Sequence, residues 1–187
     1  MTECIALFRG INVGKAKRAG MAELRQVFEG LGYSDVRTLL NSGNVVFHAG
    51  SAKVKTAEVA ARVEEAFLGR FGFSSRTTVL TARELDEVVG GHVLQDVADD
   101  PSRYLVAFVS DAKVLDGVRP LLGQDWGADA LHVGTRAAYL WCAGGILESK
   151  RLQSFSKATG ESATTRNWAT VLKLQAAARP SGGRKRS

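Results

Sequence analysis

The residues best suited to chemistry cluster in two short segments, R-G-I-N-V-G-K at 9–15 and N-S-G-N at 41–44. They bring Arg9, Asn12, Lys15, Ser42 and Asn44 around the glycines Gly10, Gly14 and Gly43. A guanidinium pairs with a carboxylate or phosphate through two parallel hydrogen bonds, and carboxamides orient such a group. Glycines let backbone amides converge into an anion-binding nest. Lys15, Lys17 and Arg18 also precede an apolar-periodic stretch that opens near Met21. Positive charge at a helix start opposes the macrodipole by about 0.3 to 1 kcal/mol per charge, and no Ser, Thr, Asp or Asn stands there as a cap. A bound anion resolves both tensions. In a third segment, T-T-R-N-W-A-T-V-L-K at 164–173, Arg166 ends a strand and Asn167 caps a helix.

Other chemistries fit less well. Gly10 and Gly14 are one residue too close for G-x-x-x-x-G-K-[ST], and Ala16 follows Lys15 where a magnesium-binding hydroxyl is needed. G-x-G-x-x-G is absent. Cys4, Cys142, His48, His92 and His132 are scattered without ligand spacing, so the residues call for no metal and no cofactor, and both cysteines read as buried thiols. Tyr139 and Trp141 share a strand face, as RNA-stacking aromatics do, yet A-A-Y-L-W-C-A-G lacks the basic residue and glycines of an RNA-recognition motif. Core packing is the better reading. No general base of the usual kind sits in the glycine-rich segments, which leaves enzymatic activity undecided.

These side chains must be positioned by strands and helices. The run at 3–9 reads as a strand; Met21, Leu24, Val27, Phe28 and Leu31 mark a helix stopped by Gly32; V-R-T-L-L-N-S-G-N-V-V-F reads as a hairpin. A second helix over about 53–70 and the strand S-S-R-T-T-V-L-T complete βαββαβ. Thr81 and Glu84 form a capping box for a further helix ended by Gly90 and Gly91. The order then repeats: strand Y-L-V-A-F-V-S, a helix through Val114, Leu115, Val118, Leu121 and Leu122, strands A-L-H-V and A-A-Y-L-W-C, a helix near 150–158, strand S-A-T-T-R and a last helix over about 168–178. An α+β protein of two tandem ferredoxin-like (βαββαβ, alpha-beta plait) units is expected, with sheet order 4-1-3-2 in each. Residues 1–92 form the first unit with its capping helix, 103–178 the second with the C-terminal helix, and 179–187 a disordered basic tail. In this topology the loop after the first strand lies beside the hairpin, so the two glycine-rich segments are neighbours. Residues 4–8 and 105–109 are apolar on both alternating sets, so the two sheets cover each other or are covered by the extra helices.

Composition bounds the rest. Hydrophobic content of 45% and charged content of 24% are ordinary globular values. The net charge of +6 invites a nucleic-acid reading. Residues 1–100 hold 12 basic and 13 acidic groups, however, and Arg179, Arg184, Lys185 and Arg186 in the tail supply most of the excess among the rest. No signal peptide or membrane span is read, and a cytoplasmic protein is expected.

The segments L-F-R-G-I-N-V-G-K-A-K-R-A-G-M, N-S-G-N-V-V-F, A-D-D-P-S-R-Y-L-V-A-F and T-R-N-W-A-T-V-L-K-L together resemble the bacterial DUF1697 family. The resemblance extends to about Ala177 and implies a duplicated ferredoxin-like architecture with no established activity. The function read from the residues is binding of a small anionic or phosphate-bearing ligand by Arg9, Gly10, Asn12, Gly14, Ser42, Gly43 and Asn44, joined by Arg166 and Asn167. The alternatives are a nucleic-acid-binding module, an enzyme acting on a phosphorylated metabolite through Glu23 or an activated water, and a structural homo-oligomer. Oligomeric state and ligand identity are left open.

Overall fold

The computed structural model describes residues 1–14 and 16–179; Lys15 and the segment from Pro180 onward, with the basic residues Arg184, Lys185 and Arg186, lie outside the described residues. The first unit runs β1 (Thr2–Phe8), α1 (Met21–Gly30), β2 (Ser34–Leu39), β3 (Asn44–Ala49), α2 (Thr56–Phe71), β4 (Thr77–Thr81) and α3 (Ala82–Gly90). The second runs β5 (Tyr104–Val109), a 3-10 segment (Ala112–Gly123), β6 (Ala130–Val133), β7 (Ala137–Trp141), α4 (Lys150–Thr159), β8 (Ala163–Asn167) and α5 (Trp168–Ala177). Two four-stranded antiparallel sheets result, ordered β2-β3-β1-β4 and β6-β7-β5-β8. The fold is thus α+β with a repeated element order.

Strand alternation explains why β1 and β5 take inner positions. Cys4, Ala6 and Phe8 face Leu24 and Phe28 of α1 and Val59, Val63 and Phe67 of α2 in one core. Ile5 and Leu7 face the other way, into a core that also holds Tyr104, Val106 and Phe108 of β5, Leu85 and Val88 of α3, and Val171 and Leu174 of α5. Leu105, Ala107 and Val109 complete a third core with Leu115, Val118, Leu121 and Phe155. The inner faces of the two sheets and the two extra helices therefore share one apolar layer, and both of the expected coverings are used. Tyr139 and Trp141 belong to it, at 3% and 6% exposure, and the Tyr139 hydroxyl donates to Val88 O at 2.6 Å. Buried in this way, they offer no base-stacking platform.

One element differs from the sequence reading. The stretch with Val114, Leu115, Val118, Leu121 and Leu122 is 3-10 rather than α-helical and contains Pro120. Proline lacks the amide an α-helix requires. Leu115, Val118 and Leu121 recur every third residue, so a three-residue turn lays all three on the core face and leaves Leu122 45% exposed. The capping expectations hold: Thr81 and Glu84 exchange both bonds of a capping box, and Asn167 Oδ1 accepts from Thr170 N at 2.9 Å.

Between the units His92 stacks on Trp168 with ring centroids 4.4 Å apart, and its Nδ1 lies 2.8 Å from the Tyr104 hydroxyl. Burial lowers the pKa of His92 below the ordinary histidine value. As pH falls through about 6.5 the unfolded chain takes up this proton first, so stability is lost on acidification below that point. A His92→Phe variant is expected to show a flatter dependence of melting temperature on pH between 7 and 5; parallel profiles would exclude this contribution.

Candidate functional site

The site begins where β1 ends. Phe8 N donates to Gly43 O at 2.9 Å and Arg9 N to Arg76 O at 2.9 Å, which fixes the glycine-rich loop between the hairpin and β4. Gly43, at φ +75°, is required there, because a Cβ would lie 2.5 Å from Ile11 Cδ1 and 2.8 Å from Phe8 Cβ. The two segments are neighbours, as the topology implied. Asn12, itself at φ 57°, clips them together: its Nδ2 donates to Ala19 O at 2.9 Å and Asn41 O at 2.8 Å, and its Oδ1 accepts from Ala19 N at 2.9 Å. Its carboxamide is spent on backbone.

Arg166 is committed in the same way. Nε donates to Asn44 Oδ1 at 2.6 Å, Nη1 to Thr165 O at 2.9 Å, and Nη2 to Phe8 O at 2.7 Å and Ser42 O at 3.0 Å. Asn44 is fully buried and donates to Leu39 O and Ser42 Oγ, both at 2.9 Å. A guanidinium from β8 therefore rivets the second unit to the hairpin of the first, with oxygen dipoles rather than a carboxylate around it. Burial lowers its pKa to about 10, and four oxygen acceptors favour the charged form, so it is a cation at neutral pH.

Arg9 spans the seam in the opposite sense, its Nη1 donating to Ala163 O at 2.5 Å. This is a single bond for a group with five donors. A cavity of about 490 Å³ opens beside it, between the units. Arg9, Gly10, Ile11, Val13 and Ser42 line it from the first unit, and Leu105, Ile146, Phe155, Ser156 and Thr159 from the second, with residues 163–167 and Thr170. Of the residues read from the sequence, Arg9, Gly10, Ser42, Arg166 and Asn167 meet here. Asn12, Gly14, Gly43 and Asn44 do not line the cavity, and Lys15 is outside the described residues. The amides before Met21 are not part of it either. A Cβ placed on Gly20 would lie 2.8 Å from Glu23 Oε2, so the Glu23 carboxylate folds over that helix start. Sequence reading missed the apolar wall; Val13, 72% exposed within the glycine-rich loop, was its one visible sign, whereas Ile146 and Phe155 carried none.

Arg9 and Arg166 are the charged residues of the lining, and no carboxylate joins them. The first turn of α5 adds the positive end of a helix dipole through Asn167 and Thr170. Arg9 and Gly10 continue into a second cavity of about 550 Å³ that also contains Lys17, Arg76, Glu64, Glu65 and Glu161. The free edges of β4 and β8 meet along this seam, and side chains close them. Thr77 N donates to Glu64 and Thr81 N to Glu84, while Ala163 O and Thr165 O accept from Arg9 and Arg166. Edges blocked in this way do not accept an added peptide strand. Among the described residues no group of three or more His, Cys, Asp or Glu is arranged to hold a metal, and no helix is long and apolar enough to cross a membrane.

No curated protein matches the chain. The solved structure of a conserved bacterial protein from Streptococcus pneumoniae is similar at 23% identity with a TM-score of 0.72, covering 95% of this chain and 99% of that one. At that identity the likeness is one of fold. The sequence profile of DUF1697, described as a protein of unknown function, matches residues 1–139, most of the chain including the R-G-I-N-V-G loop and the hairpin, and the chain belongs to that family.

Proposed function

We propose that the cavity between the units binds a small organic anion, a phosphate or carboxylate carrying an apolar body, with Arg9 as the principal contact. The observation that carries this reading is the composition of the lining: two arginines, a helix N-terminus and several hydroxyls, without a carboxylate. Arg9 supplies the uncommitted donors, while Arg166 contributes field rather than hydrogen bonds because its own are taken by Asn44, Phe8 and Ser42. Ser42 and the backbone around Gly10, at φ +65°, orient the anion. Val13 and Ile146 receive the apolar part. Asn12 and Asn44 act as scaffold for the loop and the rivet. Each unit in this reading is a ferredoxin-like plait, with the boundary between residues 92 and 103, and the buried thiols Cys4 and Cys142 suit a reducing, cytoplasmic setting.

Phosphate or sulfate is expected to raise the melting temperature more than chloride at matched ionic strength, the added stability being RT ln(1 + [L]/Kd), about 2.7 kcal/mol at a hundredfold excess over Kd. Sulfate also stabilises proteins by exclusion, so the increment has to be set against that of Arg9→Ala. Equal increments in both proteins would remove the binding reading in favour of a structural seam.

A further inference from the structure

We propose that the ligand is a phosphodiester held at Arg9, with its apolar ester group in the cavity between the units and a sugar or polyol in the cavity that adjoins it. The inference rests on the anion site proposed above and names the class of molecule that fills it.

The placement of Arg9 carries it. Arg9 and Gly10 line both cavities, of about 490 and 550 Å³. The Arg9 backbone is fixed by two residues that line the second cavity: Arg9 N donates to Arg76 O at 2.9 Å, and Arg9 O accepts from Ser75 Oγ at 2.9 Å. Its guanidinium is fixed by a residue that lines the first, since Nη1 donates to Ala163 O. Ala163 in turn lies two positions from Glu161, which lines the second. Arg9 therefore crosses from one cavity to the other. The Nη1 bond leaves free the edge formed by Nε and Nη2, whose parallel N–H groups grip two oxygens of one acid together. A phosphodiester presents two non-bridging oxygens to such an edge, and its two ester bonds lead away in different directions, one for each cavity. A monoester extends into only one of them.

The cavities differ in what they receive. The first has no carboxylate, and Val13 and Ile146 give it an apolar wall. The second is of mixed sign, with Lys17 and Arg76 set among Glu64, Glu65 and Glu161. Glu64 is already engaged, accepting from Thr77 N at 2.7 Å and lying 3.3 Å from Arg76 Nη1. Among the described residues, the side chains of Lys17, Glu65 and Glu161 form no hydrogen bond or ion pair. A charged group placed there meets its like as well as its opposite. A hydroxyl both donates and accepts, so a run of hydroxyls satisfies carboxylates and an ammonium together. A nucleic-acid strand is refused, because its next phosphate enters among the three glutamates.

The test is isothermal titration calorimetry of the full chain with three probes: phenyl phosphate, glucose 6-phosphate, and the diester that joins them, the phenyl ester of glucose 6-phosphate. The diester is expected to bind about tenfold or more tightly than either monoester although it carries less charge, because one molecule then occupies both cavities. Arg9→Ala is expected to weaken all three by about tenfold or more, the value of a charged hydrogen bond. Glu65→Ala combined with Glu161→Ala, at two exposed positions, is expected to cancel the advantage of the diester and to leave phenyl phosphate bound no more weakly. If the monoesters bind through Arg9 and the diester binds no better than they do, the diester reading is overturned and the anion site stands. A diester advantage that persists in the glutamate variant overturns it as well. If no probe depends on Arg9, the anion site itself fails, and this inference with it.

Discussion

Replacing Arg166 by methionine is expected to destabilise the protein by about 3 kcal/mol, which for a chain of this size lowers the melting temperature by roughly 6 to 12 °C. The loss does not come from the charge. A buried cation without a carboxylate is costly, and its removal relieves desolvation. It comes from what is left behind: Phe8 O and Asn44 Oδ1, part-buried at the junction of β1, the hairpin and β8, lose their donor together, and the exposed Ser42 O turns to water. Each buried acceptor left unpaired costs about 1 to 3 kcal/mol, and the sum outweighs the relief. Arg166→Lys is expected to recover only part of the loss, because a single ammonium cannot address acceptors from β3, β1 and the turn with the reach of a planar fork. Chemical denaturation of the two variants checks this. A methionine variant within 0.5 kcal/mol of wild type would show that the seam is held by the apolar layer alone.

Phe28→Ala is expected to cost about 3 to 5 kcal/mol. Phe28 is fully buried, and its ring meets Phe47 at 4.9 Å, Tyr33 at 6.0 Å and Phe8 at 6.2 Å. The three remaining rings, from β1, β3 and the turn after α1, cannot collapse into the gap, because Phe8 and Phe47 are pinned on adjacent paired strands. Thermal and urea unfolding measure the effect. A loss below about 1 kcal/mol would mean that α1 contributes little to the first core. Arg166→Met and Phe28→Ala touch no common side chain except through Phe8, so the double variant should be near additive.

Much of this architecture was legible because local patterns carry it. The apolar doublets of β1 and β5 announced strands buried on both faces, the Thr81–Glu84 spacing announced its capping box, and Asn167 its cap. The neighbourhood of the loop and the hairpin followed from strand order alone. What escaped were properties that depend on partners far along the chain. Arg166 reads as a free cation beside a helix start, yet its acceptors lie 122 and 158 positions away. Asn12 and Asn44 read as ligand groups because a carboxamide in a glycine-rich loop serves an anion and the protein's own groups equally well; Asn12 is engaged by backbone, and Asn44 by Leu39 O, Ser42 and Arg166. The 3-10 segment was misread as α-helical because Val114, Leu115, Val118, Leu121 and Leu122 satisfy either period, and Pro120 decides between them.

The proposed anion site depends on Arg9 presenting unspent donors to the cavity between the units. Soaking crystals in tungstate, a heavy analogue of phosphate, tests this directly, because the anomalous signal locates the anion without assumption. The expected result is a peak within hydrogen-bond distance of the Arg9 guanidinium, between Ser42 and the first turn of α5, that is lost in Arg9→Ala. A cavity free of anomalous density while tungstate occupies other sites, or a peak that persists unchanged in Arg9→Ala, would contradict it.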